Sequence, residues 1–501
     1  MKRTITLLIM CCMLICFAAC TKPTVNPNDD TTTPGDSQSV SPDSSGTQND
    51  TTTPADTTTA VTNRADVQDN LPEANYNNAI YRILIQNYSP AVDDFIVESH
   101  GGDAIQSAIH AAQLAVEDRF GVRFDFSTDT NQDLNNKIKN IVTSGATEDS
   151  FDLIAQRASW SALLITQDCF LPFSQVDNID ISREWWNNVA YDELSIGGET
   201  YFIVGDIVQS YIESMYGIYF NRAMAKEYGL DGIYATVSRG EWTYEKFLTV
   251  LSNVYIDDGN GVRDESDTYG CALQCTGYPM AFQASFDAIS VKHNADGMPI
   301  LDPDQEKWID MSTKIYDLMY NTPGCYSFFD WKQGYYTMFK NGQALMMPGQ
   351  LVTALMGVFT DMDDTYGIIP LPKYNEAQPD YYTLSDNAAS AVEVMKTARD
   401  PAMSGMIAEA LCAESWRYVT PETFDKALKY KYAEDAEQAE MMEIIRAGIR
   451  YDFGLIYNCG PRLTELCATQ QSSNFASYYK TSSKLWSNKL DQFVEAFKKI
   501  S

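Results

Sequence analysis

Hydrophobic positions along the 501-residue chain fall into three regimes. Lys2-Arg3 precede an apolar run, Thr4 to Ala19. From Thr21 to about Asn75 the chain is Thr, Ser, Pro, Asp, Gln and Asn with almost nothing to bury. After that, short apolar runs and helically spaced apolar positions alternate to the end. In this third regime Tyr81-Arg82-Ile83-Leu84-Ile85 predicts a strand. Ile105, Ala108, Ile109, Ala112, Ala115, Val116 and Phe120 recur at the helical period, with Asp103 as N-cap and Gly121 as stop. Val122, Phe124 and Phe126 then alternate with polar residues, so strand, helix and strand form a β-α-β unit. Phe151 to Ala155 and Thr200 to Val204 predict further strands. Beyond Gly205 the pattern restarts with a strand at Tyr216 to Phe220, an Asn221-capped helix ending at Gly229, and a longer helix after Glu241-Trp242-Thr243. Strands interleaved with helices predict an α/β architecture with largely parallel sheets. Two such units predict a crevice between them, and ligand sites favour the carboxyl ends of parallel strands at such a place.

Length changes this picture little: 501 residues exceed a single hydrophobic core, so two compact units are expected. Charge narrows it more. Against 36 Lys and Arg stand 68 Asp and Glu, a net charge of −32 that repels phosphate backbones, so nucleic acid is not expected as a partner. Three histidines, His100, His110 and His293, are too scattered for a His-based zinc centre. The run Thr4 to Ala19 is too short for a permanent transmembrane helix, so residues 1–19 read as an export signal. Its end, Phe17-Ala18-Ala19-Cys20, resembles the lipobox of bacterial lipoproteins, which implies lipidation of Cys20; a plainly cleaved signal with a free Cys20 is the alternative. Residues 20–75 then read as a lipidated cysteine followed by a disordered tether. Seven cysteines remain in the body, an odd number that does not look like a disulfide framework. They read as buried small hydrophobes with room for one bridge. A secreted glycoside hydrolase would need two carboxylates facing across a cleft, and no spacing among the acidic residues singles out such a pair. No GxSxG, HExxH or phosphate-loop motif occurs, so an enzyme is not expected. A surface adhesin suits the tether but explains a two-unit pattern poorly.

The stretches Gly198 to Gly205, Tyr219-Phe220-Asn221-Arg222 through Glu227-Tyr228-Gly229-Leu230, Gly240 to Thr243 and Asp264 to Gly270 resemble the family 1 extracellular solute-binding lipoproteins of bacterial ABC importers. So do Tyr366 to Tyr374, Tyr381-Tyr382, Ser390-Ala391-Val392 and Ala413-Glu414-Ser415, in order from about Ala79 to the C-terminus. The resemblance implies a two-lobed periplasmic-binding-protein-like (type 2) α/β fold with a hinge and an interlobe ligand cleft. It divides the body into lobe 1, residues 76–204 plus 347–392, and lobe 2, residues 205–346 plus 393–501. Crossings are implied near Val204 to Asp206, Met346 to Pro348 and Val392 to Met395. It further implies a monomer, tethered by its lipid to the outer face of the cytoplasmic membrane. Such a protein captures a carbohydrate and hands it to the importer's permease without chemical change, with no required cofactor.

Sugars offer hydroxyls and flat C–H faces, so their sites pair aromatic platforms with planar polar side chains. Asn87 and Tyr88 end the first strand. Gln156, Arg157 and Trp160 follow the strand ending at Ala155, where the resemblance places ligand contacts. Asp206 follows the first implied crossing, a position that also suits a turn or hinge cap. Gln350 sits in Pro348-Gly349-Gln350, a turn that in the family approaches ligand. Asp386 and Asn387 are implied to return towards the cleft, and Trp331, with Tyr335 and Tyr336, is either platform or core. Trp185, Trp186 and Trp242 read as scaffold. Finally, the acidic loop Asp257 to Asp267 resembles a calcium loop. With Gly261 in the sixth place, Asp258, Asn260, the Val262 carbonyl, Asp264 and Asp267 take positions three, five, seven, nine and twelve, while Ile256 occupies the first. A structural calcium or an empty, hydrogen-bonded turn are the two readings.

Overall fold

The computed structural model describes residues 63–97, 104–330, 332–385, 389–429 and 436–500. The expected signal, Cys20 and most of the tether lie outside them, as do Trp331, Asp386, Asn387 and the Asp103 cap. Strand β1 (Ala79–Gln86) runs parallel to β2 (Val122–Asp129), with Ile83 opposite Phe126, and parallel to β3 (Leu153–Arg157), with Ile85 opposite Ala155. The helix Ala104–Phe120 connects β1 to β2, so the β-α-β unit forms as its periodicity predicts. Ile105, Ile109, Ala112, Val116 and Phe120 are buried along one face of that helix, whose spacing aligns them.

The second sheet starts with β4 (Tyr216–Asn221) and includes β5 (Tyr255–Ile256) and β6 (Thr268–Gln274). A hairpin of β7 (Val291–His293) and β8 (Pro299–Leu301) lies apart from it. Strands β9 (Cys325–Phe328), β10 (Ala344–Gln350) and β11 (Tyr366–Ile369) complete the second sheet, in the order β11-β4-β10-β6-β5 with β9 also beside β6. Asn221 accepts from the Met224 N–H, so the cap expected for its helix is made, and Thr243 caps the helix Tyr244–Ser252 by accepting from the Lys246 N–H. β4 runs antiparallel to both β10 and β11, so this sheet is mixed and not largely parallel. Strand β12 (Thr383–Leu384) pairs with β14 (Ile449–Arg450), while β13 (Ser390–Glu393) joins the first sheet antiparallel to β3, giving the order β13-β3-β1-β2.

This topology redraws the expected lobe boundaries. Met346, Met347 and Pro348 pair with Phe220, Tyr219 and Ile218 in the middle of the second sheet, so no crossing occurs there and residues 347–369 belong to the second lobe. The chain returns to the first lobe between β12 and β13. Residues 393–414 stay with the first lobe. Leu171 N–H donates to the Val394 carbonyl, and the Tyr81 hydroxyl to the Ser404 carbonyl in the helix Pro401–Glu414. The physical reason is that β10 and β11 find their partners on either side of β4, whereas only β13 finds one on β3. The chain passes to the second lobe for the last time between the helices Thr420–Lys429 and Ala436–Ala447. The latter is pinned to β11 by Gln438, which accepts from Ile368 N–H and donates to its carbonyl. Thr200 to Val204 form no strand. Ile203 exchanges both backbone hydrogen bonds with Val392, but Asn187 N–H takes the Val204 carbonyl, so the ladder stops after one pair.

The end of the expected tether is also folded. Arg119 donates to both Asp69 carboxylate oxygens, at 2.6 and 2.9 Å, Arg417 donates to the Val67 carbonyl, and Arg64 to the Trp416 carbonyl. Residues 63–75 are therefore a strap on the first lobe. All seven body cysteines are buried and unpaired. Among the described residues no helix is long and apolar enough to cross a membrane.

Candidate functional site

Because β1 and β3 are parallel neighbours, their carboxyl ends lie side by side. Gln86 accepts from the Arg157 N–H at 2.8 Å, and the Arg157 guanidinium sits 3.5 Å from the centre of the Tyr88 ring. A guanidinium stacked on an aromatic ring is a flat, donor-rich surface. Asn87 beside it is exposed. Strand alternation turns Gln156 the other way, and it is 1% exposed with its Nε2 lacking a partner. Trp160, in the helix Ala158–Ile165 that follows β3, is half-buried.

The chain crossing from first lobe to second supplies a floor next to this pair. In the short helix Ser210–Glu213, Ser210 donates to Asp94 through its N–H (2.9 Å) and its hydroxyl (2.7 Å), and its Oγ accepts from the Ser390 N–H at the head of β13. Burial pushes the Asp94 carboxyl well above the usual carboxylate range, and the charge of Glu213 adds to this, while the Ser210 hydrogen bonds oppose it. Asp94, Ser210, Glu213 and Ser390 were not singled out from sequence. They come from three distant segments, and only the Asp93-Asp94 pair marks one of them as polar.

Five residues further along the crossing, the Met215 carbonyl accepts from Leu351 N–H at the end of β10. The Gln350 carbonyl there accepts from the Tyr219 hydroxyl at 2.8 Å. Gly349 lets the backbone pass close here, since an added Cβ would lie 3.1 Å from the Tyr219 ring. Tyr336 is held by its hydroxyl at 3.2 Å from the Thr353 hydroxyl, while Tyr335 is buried. The strand ends carrying Tyr88 and Arg157 and the strand end carrying Gln350 thus meet the same short crossing at its two ends.

Asp206 stands elsewhere. It is 2% exposed, its Oδ1 accepts from the Tyr211 hydroxyl at 2.5 Å, and it lines a cavity of about 350 Å³ on the hinge. Asn87, Tyr88, Gln156, Arg157, Trp160 and Gln350 do not line that cavity. In the acidic loop, Asp267 is buried and accepts from the N–H groups of Asp258 and Asp264 and from the hydroxyls of Tyr255 and Tyr269. The Asn260 side chain accepts from Val262 N–H and that of Asp264 from Ser266 N–H, so both serve the turn. The carboxylates that converge are Asp257, Asp258 and Asp267, within 4.8 Å of one another.

No protein-family model matches the sequence, and no curated protein matches it. Solved structures do resemble the fold. A cyclo/maltodextrin-binding protein complexed with maltotetraose is similar at 11% identity with a TM-score of 0.51, covering 84% of this chain and 97% of its own. The galacto-N-biose-/lacto-N-biose I-binding protein of the ABC transporter from Bifidobacterium longum, in complex with lacto-N-biose, is similar at 12% identity with a TM-score of 0.50, covering 85% of this chain and 98% of its own. At such identities the likeness is one of fold, and the fold of this chain is the two-lobed α/β fold of the periplasmic-type solute-binding proteins.

Proposed function

We propose that this protein is the extracellular solute-binding component of an ABC importer. It captures a carbohydrate of oligosaccharide size in the interlobe crevice and delivers it to a permease chemically unchanged. The observation that carries this reading is the pairing of Arg157 on Tyr88 at the strand ends of the first lobe, with the crossing from Ser210 to Met215 linking that end to the Gln350 end of the second. A stacked guanidinium supplies hydrogen-bond donors in a plane beside an aromatic edge, which matches sugar hydroxyls. Both similar structures that support it hold oligosaccharides. Closure of the lobes would take water from the ligand and order these groups around it, so that binding shifts an open–closed equilibrium. The Cys20 lipid anchor, on the outer face of the membrane, and the monomeric state belong to the same proposal.

Calorimetric titration with maltotetraose, lacto-N-biose and a wider panel of α- and β-linked oligosaccharides tests it. Saturable binding with full recovery of the intact sugar is expected; release of shorter sugars would place the protein among hydrolases instead. For the acidic loop we propose a structural calcium held by Asp257, Asp258 and Asp267, whose carboxylates also accept hydrogen bonds within the turn. Calcium should then raise Tm in a way that EGTA reverses and Asp258→Asn abolishes. An unchanged Tm would mean a turn held by its own hydrogen bonds.

A further inference from the structure

The hinge cavity containing Asp206 has walls from both lobes. One wall, around Glu184 and Asn187, is tied to the first lobe: the Trp185 and Trp186 indole N–H groups donate to Glu409 at 2.9 and 2.6 Å, and Asn187 N–H donates to the Val204 carbonyl. The opposite wall carries Arg446, in the helix that Gln438 pins to β11 of the second lobe. Tyr211 and Met215 of the crossing line the cavity, whereas Ser210 and Glu213 face Asp94. The cavity lining and the Asp94 contacts therefore lie on different faces of one crossing segment.

The lining charges are already balanced. Arg446 lies 3.6 Å from Glu443, Glu184 lies 3.4 Å from Arg183, and Asp206 feels both Arg446 and Arg64. Nothing here calls for an ion. What is left is hydrogen-bonding capacity in a buried place. Asp206 takes the Tyr211 hydroxyl on Oδ1 and a hydrogen bond from the Thr420 side chain, and Oδ2 makes no close hydrogen bond. An unsatisfied buried acceptor is costly and asks for a donor. The amides of Asn187 and Asn188 and the Trp186 ring complete a surface of donors, acceptors and aromatic carbon. About 350 Å³ admits a ring-sized molecule. We propose that this cavity is a second binding site, for a small uncharged polyol the size of one sugar ring or cyclitol, which when bound ties the lobes together from the hinge side.

The test is calorimetric titration of the full chain with D-glucose, D-galactose and myo-inositol, with putrescine and glucuronate as charged controls. At least one neutral probe should bind saturably, about tenfold more weakly in Asp206→Asn and several-fold more weakly in Asn188→Ala, and unchanged in Arg157→Ala. Asn188 is exposed, so its variant decides the matter if the Asp206 variant does not fold. Failure of all three neutral probes, tighter binding of a charged control, or loss in Arg157→Ala with retention in both hinge variants would each overturn the proposal. The last outcome would assign the binding to the crevice and leave the carrier function standing.

Discussion

Arg157 and Asp94 illustrate two different dependencies at the scale of single residues. Arg157 stands half-buried at a strand end with its guanidinium on Tyr88, so under the proposed function it serves the ligand more than the fold. Arg157→Ala is expected to lower oligosaccharide affinity at least tenfold, about 1.4 kcal/mol, with Tm nearly unchanged; calorimetry and a melting curve check both halves. Asp94 is a structural member of the floor. Asp94→Ala strands the Ser210 N–H and hydroxyl in a buried place and should cost about 1–3 kcal/mol of stability, read by urea unfolding. Glu409 makes a third case. Burial pushes its carboxyl up to about 7, although the Trp186 and Trp185 indoles and the Asp180 N–H work in the other direction. The folded state therefore holds a proton that the unfolded chain releases. Its contribution to stability is complete below about pH 4.5 and is lost as pH rises through about 7, worth at most about 3 kcal/mol. Glu409→Gln should flatten that decline in unfolding free energy between pH 5 and 8; a decline as steep as in the parent would assign it to other groups.

At the scale of elements, the strap and the hinge segment carry the informative packing. In the strap, burial raises the Asp69 carboxyl, but hydrogen bonds from Arg119 and Leu71 and the charges of Arg119 and Arg417 bring it below its ordinary value. That part of the stability is present above the ordinary carboxylate range and is lost as pH falls through the lowered value. Asp69→Ala should release residues 63–75 to limited proteolysis while leaving the cleft's affinity within twofold. In the hinge segment, Gly205 packs where a Cβ would lie 2.5 Å from the Trp186 ring, 2.7 Å from the Trp185 carbonyl and 2.8 Å from Cys412. Two of those neighbours are rigid, so Gly205→Ala is expected to cost about 2 kcal/mol, seen as a lowered urea midpoint at constant m-value.

At the scale of the whole molecule, the chain leaves the first sheet for the second over 203–215, lies in the first again from β13, and is back beside β11 by the helix Ala436–Ala447. The C-terminal helix Phe475–Ile500 adds a brace: Phe475 stacks on Trp308 of the second lobe at 5.1 Å, and Phe497 meets Tyr201 edge-on at 5.5 Å. Small-angle scattering is expected to show a smaller radius of gyration on adding a bound oligosaccharide. A profile unchanged at saturation would mean that the lobes do not move, and the capture mechanism proposed here would fall.

Local order was legible in the chain itself. Helical spacing from Ile105 to Phe120, the Asn221 cap and the alternation after Val122 depend on neighbours within a few residues, and each formed as its pattern required. The positions of Asn87, Tyr88 and Arg157 at strand ends followed from the same local order, since a parallel pair brings its carboxyl ends together. Tertiary structure alone decided which strands share a sheet, because Met346 to Pro348 fit a crossing or a central strand equally well until Tyr219 and Ile218 are in place beside them. It also decided that Asp206 turns to the hinge and that residues 63–75 are captured by arginines from 50 to 350 positions away. Such pairings are contacts between distant segments, and their energy arises only once the rest of the fold has brought the partners together.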